Sequence, residues 1–176
     1  GVDQKEVVLR RNTFVLVFVF LVVLIGSWAA PAAAADVGSR SWELGVILGE
    51  PTGLSAKYWT STNTAIDLGA AWSFGDDGHF HIHGDYLFHN FDIFKVDSGS
   101  LPLYFGIGGR IRFEDDDPHD GDDNHGTRVG LRLVLGLEYL VAAYPMSVFF
   151  EIAPIVDLVP ATEGSMNGGL GIRYVF

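Results

Sequence analysis

Three histidines and an aspartate stand at alternate positions: His79, His81, His83 and Asp85. On a β-strand alternate residues share a face, so all four would line one wall. Imidazole nitrogens and a carboxylate are ligands for Zn²⁺ or another transition dication. Neighbours at i and i+2, however, lie roughly 7 Å apart, too far for three of them to share one ion unless the strand bends. Arg110 and Arg112 fall on the adjacent strand, where they would oppose a positive metal. The expectation is therefore a polar hydrogen-bonded cluster, with no metal and no other cofactor, and these four residues as weak metal candidates.

Nucleophilic chemistry would need a hydroxyl beside a base. No serine lies beside His81 and His83 on their face, while His89 and Ser73 fall near opposite strand ends. A lipid-modifying enzyme working through His and Ser is the weaker reading on this geometry, and no catalytic residue is assigned. The segment from Glu114 to Gly126 (EDDDPHDGDDNHG) holds seven acids and no Lys or Arg. Asp120, Asp122 and Asn124 have the spacing of a calcium loop, but His125 occupies the position that needs glycine and no glutamate closes the motif. A solvated, self-repelling loop is the simpler reading. The glycines at 106, 108, 109, 168, 169 and 171 lie within alternating segments with no helix after them, so they are not a nucleotide fingerprint.

The elements that would position these groups emerge from the organisation of the chain. The first 35 residues read as a cleaved signal peptide: Lys5, Arg10 and Arg11, an uncharged run over 14–25, then Ala33-Ala34-Ala35 before Asp36. The uncharged run is shorter than the ~20 residues a spanning helix needs. Residues 36–176 form the second unit, a single barrel domain. The chain has no cysteine and a formal net charge of −11, so export brings no disulfide framework and nucleic acid is not expected as a partner.

Past residue 40 the dominant signal is alternation, the period of a strand. Over 127–140, Val129, Leu131, Leu133, Leu135 and Leu137 alternate with Arg128, Gly130, Arg132, Val134, Gly136 and Glu138. Residues 101–113 and 165–176 repeat the pattern, and weaker versions fall at 41–49, 53–61, 64–74, 79–89 and 146–157. Eight strands follow, most of them 9–14 residues long, where a tilted membrane-spanning strand needs ~9–11. An even number of long strands joined by tight turns predicts an all-β, eight-stranded antiparallel up-and-down transmembrane barrel.

The polar face decides which side points outward. It holds Glu43, Asp67, Asp85, Glu138, Glu151 and Asp157 against Lys57, Arg110, Arg112, Arg128, Arg132 and Arg173, together with His81 and His83. Six acids balanced by six cations and interspersed with glycines suit a narrow interior where charges must pair. The aliphatic face is then lipid-facing. Trp42, Tyr58, Phe88, Tyr139, Tyr174 and Phe176 would form one interfacial girdle, and Trp72, Phe74, Phe80 and Phe113 the other.

With the strands laid out, the chain resembles the OmpA/OmpX-like superfamily of small outer-membrane barrels, and within it a group of uncharacterised bacterial outer-membrane β-barrel proteins. The phrases that carry the resemblance are Gly49-Glu50-Pro51-Thr52-Gly53 leading into Lys57-Tyr58-Trp59, His83-Gly84-Asp85-Tyr86, Leu101-Pro102-Leu103-Tyr104 with Gly106-Ile107-Gly108-Gly109-Arg110, Glu151-Ile152-Ala153-Pro154, and Asn167 to Tyr174. It covers residues 41–176. The ending Tyr174-Val175-Phe176 is similar to the aromatic signature read by barrel-assembly machinery. The resemblance implies an outer-membrane location in a Gram-negative bacterium and carries no settled activity. A charged, side-chain-filled interior points instead to a structural or surface-interaction role through the external loops, for a monomer in contact with lipid and lipopolysaccharide. A narrow pore and a lipid-modifying enzyme are the alternatives.

Overall fold

The structure, a computed structural model, describes residues 41–50, 52–72, 79–114 and 127–176. The signal-peptide reading of 1–35, the acidic stretch 115–126 and the connection 73–78, which includes Ser73 and Phe74, lie outside the described residues.

Eight strands follow one another: β1 (Trp42–Glu50), β2 (Thr52–Trp59), β3 (Thr64–Trp72), β4 (His79–Asn90), β5 (Leu103–Glu114), β6 (Thr127–Leu140), β7 (Met146–Val159) and β8 (Glu163–Val175). Each pairs antiparallel with its chain neighbours, and β1 pairs with β8, closing the sheet into a barrel. The expected all-β, eight-stranded up-and-down architecture is what the chain adopts. Closure leaves none of the eight described strands with an unpaired edge along the wall.

Strand ends differ from the sequence reading by local chemistry. β2 stops at Trp59 rather than 61 because Thr60 and Ser61 turn: their N–H groups both donate to the Thr64 carbonyl, at 2.9 and 3.2 Å. β5 begins at Leu103 rather than 101, just after Pro102, which has no N–H to give a ladder. The pairing still resumes beyond it in a bridge between Ser100 and Leu140. β7 and β8 each run two residues further towards their shared turn than expected, leaving only Pro160, Ala161 and Thr162 between them.

Polarity is distributed inside out. On β6, Leu131, Leu133 and Leu135 are exposed while Arg132, Val134, Gly136 and Glu138 are buried. The same reversal runs round the barrel, with Leu44, Leu68, Ile82, Ile107, Phe150 and Leu170 all exposed. Aromatic rings gather at both rims. At the end holding Trp42 and Phe176, Trp42 packs on Tyr58 with centroids 4.8 Å apart and Tyr174 on Phe176 at 4.9 Å. At the other end Phe80 stacks on Phe113 at 6.2 Å.

The interior is filled by pairing large inward side chains with glycines on the next strand. A Cβ at Gly136 would lie 2.3 Å from the Tyr104 ring, and one at Gly171 would lie 2.2 Å from the Phe149 ring. Gly136 faces Tyr104 directly in the ladder, as Gly171 faces Phe149. These glycines supply the space into which the rings lean, which is why glycine interrupts so many strands without breaking them.

Candidate functional site

The site is the lumen, and its residues come from every strand. Glu43, Lys57, Asp67, His81, His83, Asp85, Arg110, Arg132, Glu138, Glu151, Asp157 and Arg173 are all buried on the inner face. Arg112 and Arg128 are only half-buried, towards the end opposite the chain terminus. His79 opens β4, with its side chain outside what is described.

Near the Trp42 end, Glu43 accepts from the Trp59 indole at 2.5 Å and from the Ser147 hydroxyl at 2.7 Å. Beside it, Lys57 donates to Glu138 and sits 3.3 Å from His89 Nε2. Its ammonium also lies 4.8 Å from the centre of the Trp59 ring. Glu138 takes a second donor, Arg173 Nη1 at 3.2 Å. Arg173 crosses the lumen: Nη2 donates to Asp67 at 2.6 Å and Nε to the Ser55 hydroxyl at 2.8 Å, while its guanidinium lies 3.6 Å from the centre of the Phe149 ring.

A second group lies further along. Arg132 donates to Asp85 at 2.9 Å through Nε and to Glu151 through Nη2, and Glu151 also accepts from the Tyr104 hydroxyl at 3.2 Å. Arg110 grips both oxygens of Asp157, at 3.0 and 2.8 Å, and donates to Ser165 at 3.0 Å. At the mouth Arg128 pairs with Glu163. Between the two groups stands His83, whose Nε2 is 4.0 Å from an oxygen of Asp67 and 4.0 Å from one of Asp85.

These contacts span barrel strands that are not neighbours. Lys57 on β2 meets Glu138 on β6, 81 residues later, and Arg173 on β8 meets Asp67 on β3. Such pairs bridge opposite walls, so the ions cross-brace the barrel. Low dielectric strengthens the bridges, and each carries a high cost if one partner is lost.

Alternation along the strands identified the inward residues, but the grouping it suggested differs from the one the barrel makes. Among the described side chains of that strand, His83 and Asp85 come together and His81 does not join them. The residues that converge are Asp67, His83 and Asp85, whose ligand atoms all lie within 4.8 Å of one another. Asp67 is missing from the single-strand reading because it is supplied by β3, directly opposite Asp85 in the ladder. Arg112 and Arg110 do oppose His81 and His83 in register. Glu43 with Trp59 and Ser147, and Tyr104 with Glu151, are contacts no period could signal.

An apolar recess of about 780 Å³ is lined by Leu54, Leu68, Ile82 and Ile111 together with Ala56, Ala70, Gly84 and Gly109. A smaller one, about 300 Å³, opens at the Trp42 end above Glu43 and Trp59.

No family model matches the chain, and no curated protein sequence does. Solved structures do match. The N-terminal β-barrel domain of Pseudomonas aeruginosa OprF superposes with a TM-score of 0.65 at 15% identity, covering 79% of this chain and 99% of that one. Neisserial surface protein A (NspA) superposes with a TM-score of 0.53, also at 15% identity, covering 78% of this chain and 94% of that one. The chain thus has the fold of the small eight-stranded outer-membrane barrels.

Proposed function

We propose that the chain is an integral outer-membrane barrel with a closed, charge-braced lumen, serving a structural or surface-interaction role through its external loops. The observation that carries this reading is the inversion of polarity. A belt of exposed Leu, Ile and Phe surrounds a wall whose interior holds the buried ion pairs. In water that belt would be a large exposed apolar surface, whereas in a bilayer it is the matched surface. The aromatic rims fit the two interfaces, and the matched structures are outer-membrane barrels.

In this reading the chain is a monomer in contact with outer-membrane lipid and lipopolysaccharide. Tyr174 and Phe176 are read by barrel-assembly machinery during insertion. Enzymatic activity forms no part of it: His89 is engaged by Lys57 and Glu138 rather than set beside a nucleophile. Conduction is the rival function, and the crossing bridges argue against it.

The test is single-channel conductance of residues 36–176 refolded into a planar bilayer, with heat-modifiable gel migration as the folding control. A folded barrel that passes no current supports the occluded lumen. A steady ion-selective current would replace this reading with a pore.

A further inference from the structure

The fully buried part of the lumen carries six acids (Glu43, Asp67, Asp85, Glu138, Glu151 and Asp157) against four cations (Lys57, Arg110, Arg132 and Arg173). By count, Arg112 and Arg128 would balance the set, yet both sit half-buried towards the mouth, and Arg128 is paired with Glu163 there. From Ser41 onward the sequence has only one further Lys or Arg, the exposed Lys95. Buried charge left unmatched is costly, so a surplus of two buried acids is relieved either by protonation or by positive charge from outside the chain's own side chains.

The place where that charge fits is the junction between the two ion-pair groups. We infer that Asp67, His83 and Asp85 form a binding site for one first-row transition dication, of which Zn²⁺ is the natural probe. The three side chains are 3%, 5% and 1% exposed. His83 Nε2 stands between the two carboxylates at 4.0 Å from each, and His83 Nδ1 has no hydrogen-bond partner.

Each carboxylate turns one oxygen to His83. Asp67 gives Oδ1 to Arg173 and turns Oδ2 to His83. Asp85 turns Oδ2 to both Arg132 and His83, while its Oδ1 is buried against Gly108 without a hydrogen-bond partner. Ligand atoms 4.0–4.8 Å apart need roughly 0.5 Å of inward movement each to reach the ~2.0–2.2 Å bonds of zinc. An imidazole in the donor set favours a transition metal over Ca²⁺ or Mg²⁺, which take oxygen ligands. Arg132 and Arg173 then serve as outer partners that orient the two ligating carboxylates.

The spacing objection to a metal on β4 falls away, and the cations around the site are each bound to a carboxylate. The single-strand spacing is bypassed because Asp67 comes from β3. Arg110, which faces His83 in register, is bound to Asp157 and Ser165. The inference concerns the barrel interior alone and does not depend on the membrane reading, since conductance can fail or succeed without changing it.

The experiment uses the untagged chain, refolded in detergent, stripped with EDTA and titrated with Zn²⁺ by calorimetry, with urea unfolding followed with and without the metal. Expected is one tight equivalent that raises the urea midpoint of the wild type, as binding to the native state alone must. His83→Gln and Asp67→Asn should each weaken that equivalent at least about tenfold. His81→Gln, whose ring is 5.8 Å from that of His83, should leave it unchanged. A folded wild type with no zinc-dependent shift in its urea midpoint overturns the site, whether or not the variants fold. Zinc uptake that survives both ligand substitutions belongs to the acidic segment and overturns it as well.

Discussion

At the scale of single residues, the lumen distinguishes side chains that hold the walls together from those that decorate the mouth. Glu138 is fully buried and receives both Lys57 and Arg173. Glu138→Gln would leave two cations facing a neutral amide, and the expected loss is about 3–5 kcal/mol, the range for breaking one side of a buried pair. Arg128→Gln, whose partner Glu163 has a side chain 57% exposed, should cost less than about 1 kcal/mol. Urea unfolding in the same detergent measures both, and equal losses would contradict the division. Which residues point inward was legible in the sequence, because the strand period assigns faces without knowing the fold. Which of them meet was not. Arg132 finds Asp85 two strands away and Glu151 on the next strand, and those distances exist only once the barrel has a diameter and a stagger.

At the scale of the element, β6 shows why one face must stay apolar. Leu133 is exposed midway along a 14-residue strand, while Val134 beside it is buried. Leu133→Arg should cost about 2–4 kcal/mol near the bilayer midplane, well above Val134→Thr on the inner side. Equal folding of the two in lipid vesicles would invert the assignment of faces. The glycine sockets make a second element-level claim. The three nearest atoms to a Cβ at Gly69 all belong to the His83 ring, the closest at 2.2 Å. Gly69→Ala should therefore destabilise by roughly 1–3 kcal/mol through overpacking, and His83→Ala in the same chain should recover most of it, a coupling that a double-mutant cycle reads directly. All eight strands were legible from alternation because long, one-sided strands carry a strong period. Their ends were less so: a turn at Thr60 and Ser61, a proline at 102 and a register shift between Val129 and Gly130 are set by backbone hydrogen bonds rather than by pattern.

At the scale of the whole molecule, the wall is sealed by the pairing of β1 with β8. That ladder runs from Glu43 opposite Val175 to Glu50 opposite Gly168, and the Phe176 N–H adds a bond to the Trp42 carbonyl at 2.8 Å. Removing Phe176 takes away this last bond and an aromatic ring from the rim. The expected outcome is a smaller heat-modifiable fraction recovered from cell membranes, and full recovery would deny that residue a part in assembly. The seam also sets the order of events. The partner of the earliest strand is the latest to leave the ribosome, so every stage before release of β8 presents two raw edges and cannot be a finished barrel. Non-local pairing of this kind is slow, and raw edges invite association with other chains. The closed wall therefore exists only once the first and last strands have met, and until then the chain carries edges open to any partner strand.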